Sequence, residues 1–137
     1  MAKIPDDAEA IFTKQANISV ATASKDGKPN SSYVRFWWFQ DDKVVLINNF
    51  MDKTRKNMKE TSWASVSAYD MDIHKAYQFK GTVEFKTEGP EYERGKAMAK
   101  KIFEERGMQL PAKEAIILTV KEVYYLQPGP EAGKLVE

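Results

Sequence analysis

The chain has 137 residues, the length of one ordinary domain, and its 42% hydrophobic and 30% charged composition suits a folded globular core. Lys and Arg total 21 against 20 Asp and Glu; the net charge of +1 argues against a dedicated nucleic-acid binder, which carries a basic excess. With no cysteine and one histidine, His74, thiolate chemistry, Cys-ligated metal and multi-His sites are excluded, so any redox chemistry requires a bound cofactor.

The start, Met1-Ala2-Lys3-Ile4-Pro5-Asp6, has no apolar signal region, and no later run approaches the roughly 20 residues of a membrane helix. The expected address is the cytoplasm. Asp6 as N-cap with Glu9 three residues on predicts a short helix, with Ala8, Ile11 and Phe12 at helical spacing and Asn17 at its end. From Ile18 the period changes. Ile18 to Ser24 reads as a strand, Lys25-Asp26-Gly27-Lys28 as a tight turn, and Pro29 as the start of a second strand running to about Gln40. Asp41-Asp42 turns the chain into a third strand, Lys43 to Asn48. Asp52 can cap a short helix from Lys53 to about Lys59. A fourth strand, Trp63 to Tyr69, and a polar loop, Asp70 to His74, follow. Lys75 to Lys86 alternates clearly, with Tyr77, Phe79, Gly81, Val83 and Phe85 on one face; Gly81 marks a bend or a close backbone approach. Gly89-Pro90-Glu91 opens the longest helix, with Tyr92, Ala99, Ile102 and Phe103 as its apolar stripe, Met98 and Met108 as core filler and Gly107 as C-cap. Ala115 to Leu126 is a last strand, and the Pro128-Gly129-Pro130 tail reads as extended. The sum is one domain, 1–137: mainly β with α, a six-stranded antiparallel β-barrel with flanking helices, since a closed sheet removes exposed edges.

Two features depart from an ordinary half-wet sheet. Tyr33 to Phe39 is apolar on both faces: Val34, Phe36 and Trp38 on one, and Tyr33, Trp37 and Phe39, with Arg35 among them, on the other. Val44 to Ile47 and Ala115 to Val120 repeat the pattern. Either a helix covers the second face, or that face is a dimer interface with a flat aromatic ligand at its edge. The second reading is favoured because the helices look too few. The other feature is the basic run Lys53-Thr54-Arg55-Lys56 at a helix start, where the dipole disfavours cations. A solvated charged face is the ordinary reading. A phosphate would reverse the balance by accepting the free N–H groups, and the Thr hydroxyl between cations brings that reading level.

Together these stretches resemble the FMN-binding split-barrel family, the pyridoxamine 5'-phosphate oxidase-like and short FMN-binding proteins. Ala21-Thr22-Ala23-Ser24-Lys25-Asp26-Gly27-Lys28-Pro29-Asn30 is similar to the family's first hairpin. Asn49-Phe50-Met51-Asp52-Lys53-Thr54-Arg55-Lys56-Asn57 is similar to its phosphate segment. Phe79-Lys80-Gly81-Thr82-Val83-Glu84 and Phe85-Lys86-Thr87-Glu88-Gly89-Pro90-Glu91-Tyr92 resemble its later strand and strand-to-helix step. The resemblance implies a split barrel binding FMN in a homodimer, with the flavin site at the subunit interface, and an oxidoreductase or electron-transfer role. It implies that Lys53 and Thr54 hold the phosphate, with Arg55 a helper. Val34, Arg35 and Phe36 would run along the isoalloxazine ring, Arg35 being the candidate for stabilising a reduced, anionic flavin. Ile47, Asn48 and Asn49 would flank the ring and ribityl chain, and Gln127, within Tyr125-Leu126-Gln127-Pro128, would approach the flavin of the other chain. Authentic pyridoxamine 5'-phosphate oxidases carry a C-terminal Glu-Trp segment followed by Arg and His, and nothing after Tyr125 matches it. That oxidase activity is therefore not expected to carry over.

Two alternatives stand beside this reading. A barrel could stack single-stranded nucleic acid on Phe36, Trp37 and Trp38, against which the lack of basic excess counts. The same split barrel could instead bind haem, with His74 as ligand, or a deazaflavin. Asp70, Asp72 and His74 read as a solvated hairpin rather than a metal cluster, and Ser31 and Ser32 as ordinary strand residues.

Overall fold

Period-two alternation puts the chain's strands into one antiparallel sheet. The computed structural model describes residues 2–136. Its elements run α1 (Ala8–Thr13), β1 (Ile18–Ala23), β2 (Pro29–Val34), β3 (Trp37–Gln40), β4 (Lys43–Asn48), α2 (Lys53–Thr61), β5 (Trp63–Asp70), β6 (Lys75–Lys86), α3 (Pro90–Arg106) and β7 (Glu114–Tyr125). The sheet order is β2-β1-β5-β6-β7-β4-β3. Its two edge strands, β2 and β3, are consecutive in the chain and separated only by Arg35 and Phe36. The sheet therefore curls until its edges meet at a covalent corner instead of a hydrogen-bonded ladder. This is a split barrel of seven strands, not six, because the expected Pro29–Gln40 strand breaks at that corner. The Phe36 carbonyl accepts from Ile47 N–H at 3.0 Å, which ties the corner to β4.

The corner also resets the side-chain parity. Val34 points into the main core, but beyond the break Trp37 and Phe39 pack against that core while Phe36 and Trp38 join a second cluster. The expected grouping of Val34, Phe36 and Trp38 on one face is thereby overturned. Phe12 from α1 plugs the barrel, 5.1 Å from the Phe79 ring, 5.3 Å from Phe39 and 5.9 Å from Trp37.

The doubly apolar strands are explained within one subunit. Val44, Leu46, Ile116 and Leu118 face the barrel core, while Val45, Ile47, Ala115 and Ile117 face out beneath α3. Tyr92, Met98, Ala99 and Ile102 of α3 cover that outer face. The helices are thus sufficient there, and these strands give no ground for a dimer interface. Phe103 and Met108, expected in the apolar set, are exposed. Gly95 lets the helix approach closely: a Cβ there would lie 2.4 Å from Ile47 Cδ1.

Helix ends follow the sequence in part. Pro90 begins α3 and Gly107, at φ 69°, ends it. At α1 the N-cap is Asp7, not Asp6, and no side-chain cap forms. The Asp7 carboxylate is drawn away by Lys75 Nζ at 2.5 Å and the Tyr77 hydroxyl at 2.7 Å. Gly81 sits at a bulge where a Cβ would be 2.0 Å from the Thr119 carbonyl oxygen, the close approach its position predicts. The tail is not extended. It turns through Gly129 to Lys134, and Leu135 bridges back to Tyr124.

Candidate functional site

The split in the barrel leaves a cleft of about 330 Å³ where β2, the end of β4 and the start of α2 converge. Val34, Ile47, Met51 and Leu110 supply apolar wall; Asn30, Ser32, Asn49, Lys53 and Thr54 supply polar groups. Alternation along β2 puts Asn30, Ser32 and Val34 on its inward side, facing α2. Ser62 adopts a left-handed conformation to end that helix, so α2 is a fixed two-and-a-half-turn element.

The start of α2 brings the helix N-terminus, the Lys53 cation and the Asp52 carboxylate to one end of the cleft. Asp52 stands at the N-cap position but makes no side-chain cap bond, contrary to its expected role. The first N–H groups of the helix thus keep their partial positive charge unneutralised by a side chain. Lys53 is exposed, and no ion pair engages it among the described residues. Thr54 is 3% exposed; its Oγ1 accepts from Asn30 Nδ2 at 3.0 Å and shares a 2.9 Å hydrogen bond with Ser32 Oγ. A hydroxyl has two acceptor sites and one proton. One hydroxyl of the Thr54–Ser32 pair donates to the other, which leaves the pair one proton free to donate elsewhere. Asn30 Nδ2 also reaches Thr22 Oγ1, to which Asn57 Nδ2 donates at 3.0 Å, so the cradle is braced from behind.

Beneath the helix lies a buried carboxylate. Glu114 accepts from Arg55 Nε at 2.5 Å, Arg55 Nη2 at 3.3 Å and Asn48 Nδ2 at 2.8 Å. Burial pushes the Glu114 carboxyl up, but the Arg55 and Asn48 hydrogen bonds outweigh it and hold the group below its ordinary value. Asn48 Oδ1 accepts from Met51 N–H at 2.8 Å, which pins the β4–α2 connection. Asn49 Nδ2 donates to the Pro111 carbonyl at 3.0 Å, holding the segment that carries Leu110 against the cleft.

Of the residues singled out from sequence, Val34, Ile47, Asn49, Lys53 and Thr54 come together around the cleft. Asn48 and Arg55 stand behind it on Glu114. Phe36 is buried under α3. Arg35 points to a separate depression beside Trp37 and Arg94. Gln127 lies at the far end of the sheet, its Oε1 accepting from Ala76 N–H at 3.2 Å. His74 is on the β5–β6 turn, sharing a 3.3 Å hydrogen bond with the Tyr69 hydroxyl, away from the cleft. Asp70 and Asp72 are both bonded by Lys14. Asn30, Ser32 and Glu114 are the site residues that sequence reasoning passed over. Two polar residues on the inward side of a strand are the signal for the first two. A lone acid ahead of the apolar run Ala115–Leu118 is the signal for the third.

A split barrel with an uncapped helix N-terminus at the lip of its cleft places polar donors beside an apolar slot. The chain matches the Pyridoxamine 5'-phosphate oxidase family over residues 4–127, and it belongs to that family. It is 36% identical over 125 residues to the uncharacterized protein MJ0282 of Methanocaldococcus jannaschii, covering 87% of this chain and 78% of that one. Among solved structures it is similar to HupZ of Group A Streptococcus: TM-score 0.75, 29% identity, 95% of this chain and 99% of the other. It shares the fold with an FMN-binding protein of Syntrophomonas wolfei at TM-score 0.73 and 15% identity, over 90% and 86% of the two chains. The fold also extends to an F420 reductase and to HutZ, the heme storage protein of Vibrio cholerae, each at TM-score 0.64. No helix among the described residues is long and apolar enough to cross a membrane.

Proposed function

We propose that the protein is an FMN-binding flavoprotein, an oxidoreductase or electron carrier that works as a homodimer. The observation that carries this reading is the cradle at the start of α2: an uncapped helix N-terminus, the unpaired Lys53 side chain and the Thr54–Ser32 hydroxyl pair, all lining one end of the cleft. These groups suit a phosphate, and the Val34 and Ile47 walls suit a flat ring beyond it. Bound FMN would supply hydride and electron transfer. The chain's own part is to grip the phosphate, orient the ring and exclude water from it. Arg55 contributes indirectly, since its guanidinium anchors α2 to Glu114.

FMN and riboflavin differ by the phosphate alone, so their affinity difference measures the cradle. Two charge-assisted contacts at a helix N-terminus are worth roughly 3–6 kcal/mol in favour of FMN. Lys53→Ala should remove about half of that preference and leave riboflavin affinity near wild type. Titration of both ligands, followed by quenching of flavin fluorescence, reads the two affinities directly. Equal losses for FMN and riboflavin, or no loss for either, would move the phosphate away from Lys53.

A further inference from the structure

Arg35 and Arg94 meet in a second depression, of about 320 Å³, that shares no lining residue with the cleft. It lies on the other side of the β2–β3 corner, between α1 and the first turns of α3. Arg94 lays its guanidinium over the Trp38 ring, 4.2 Å from the centroid. That ring is held in place: Trp38 Nε1–H donates to Gln40 Oε1 at 3.3 Å, and Gln40 Nε2 donates to Glu91 Oε2 at 2.9 Å. Glu91 sits three residues before Arg94, where a helical ion pair would ordinarily form. The Gln40 amide takes that carboxylate instead and holds it below its ordinary value. Neither Arg35 nor Arg94 has a carboxylate within 4.0 Å among the described residues.

Arg35 and Arg94 line one concavity, neither ion-paired, beside half-buried Trp37 and Phe39. Their mutual repulsion is relieved by an anion, and a stacked guanidinium keeps its in-plane N–H donors free for a bidentate partner. The indole and phenyl surfaces give a flat apolar body somewhere to lie. Other polar groups at the rim are already engaged: Thr13 Oγ1 donates to the Glu9 carbonyl at 2.6 Å, and Gln15 Nε2 to the Tyr69 carbonyl at 2.5 Å. Glu9 is the one opposing charge at the rim, and it is exposed.

We infer that this depression is a second ligand site, taking a small aromatic acid whose carboxylate or phosphate bridges Arg35 and Arg94 while its ring lies on Trp37. The site is independent of the cofactor cleft, so a flavin and an aromatic acid can be bound at once.

The chain has three tryptophans, Trp37, Trp38 and Trp63, whose indole N–H signals are separable by NMR and assignable with Trp→Phe variants. Benzoate and phenyl phosphate are the probes; benzamide is the uncharged twin. The expected result is a saturable shift of the Trp37 and Trp38 signals with either anion, none with benzamide, and a stationary Trp63. The tighter-binding anion identifies the head group. Arg35→Gln and Arg94→Gln should each weaken binding about tenfold, and Glu9→Gln should tighten it about threefold. FMN affinity of Arg94→Gln should equal wild type. Equal shifts with benzamide, no saturation by roughly 50 mM, or unchanged binding in both arginine variants would overturn the site. Failure of flavin binding would leave each of these readings intact.

Discussion

At the scale of single residues, Lys53, Thr54 and Glu114 show how differently the residues around one cleft are held. Lys53 is exposed and unpaired, so its removal reports on the ligand alone. Thr54 is buried and engaged by Asn30 and Ser32. Thr54→Val would remove both bonds and leave Asn30 only its 3.3 Å bond to Thr22, at a cost of about 1–3 kcal/mol of stability. We therefore expect Thr54→Val to lower the Tm and to weaken FMN more than riboflavin, whereas Thr54→Ser keeps both near wild type. Thermal melts beside flavin titrations separate the two effects. Glu114 gives a pH signature. Its folded carboxyl titrates below the ordinary value near 4.5, so it stabilises the fold fully above that value and loses the contribution as pH falls through the lower one. Asp7 and Asp70 are also held low, through Lys75 with Tyr77 and through Lys14 respectively, and add losses of the same sign. Glu114→Gln should be less stable at pH 7, by about 2 kcal/mol given that Arg55 is half-exposed and can rehydrate. It should also lose less between pH 5 and pH 3, as roughly expected for one fewer titrating carboxyl. Denaturant melts across that range would show parallel curves if Glu114 did not titrate in the folded protein.

At the scale of elements, the bulge at Gly81 joins β6 to β7 where the two strands nearly touch. Gly81→Ala forces a methyl against the Thr119 carbonyl, which is backbone and cannot rotate aside. The strands must part there, and we expect a loss of about 3 kcal/mol, read as a Tm drop of roughly 10 °C. Gly95→Ala differs. The methyl meets the Cδ1 end of Ile47, which can change rotamer, and the helix gains about 1 kcal/mol of propensity, so the Tm should move by only a few degrees. These elements also show what could be read in advance. The β6 alternation, the Asp26-Gly27 turn and the Gly89-Pro90 helix start are local, and each was legible. The corner at Arg35 and Phe36 was not, because no Gly or Pro marks it. It exists because β2 pairs with β1 and β3 with β4, at opposite edges of the sheet. The burial of β4 and β7 under α3 is likewise a tertiary fact. At the site, Lys53 and Thr54 were legible because a helix start is a local signal. The pairing of Arg55 with Glu114, 59 residues away, has no local trace.

At the scale of the whole molecule, α1 and α2 bury their apolar residues in the barrel core and α3 covers β4 and β7. The outer face of β1, β5 and the neighbouring part of β6 has no helix on it. Ser19, Ala21, Ser65 and Ser67, all half-buried, share it with half-buried Lys80 and Gln78 of β6, the partners of Ser65 and Ser67, and exposed Trp63 lies at the margin. Tyr33 is 77% exposed, lines the cleft and projects from the outward side of β2. A second copy on this face would cover Tyr33 and close the open side of the cleft, which is how one subunit could complete the flavin site of the other. A face left uncovered by any helix, with its small residues on β1 and β5, suits a two-fold contact of obligate size, more than about 2,000 Å². Sedimentation of the wild type should then give a dimer at micromolar concentration. Ala21→Glu would bring like charges together near the two-fold axis, and we expect it to give monomers that bind FMN at least about tenfold more weakly. Ala21→Ser, similar in size and uncharged, should remain dimeric with FMN affinity unchanged. Circular dichroism would verify that the Ala21→Glu barrel is folded, so that a loss of flavin reads as a loss of the partner. A wild-type monomer that holds FMN at full affinity would show the cleft to be complete within one chain.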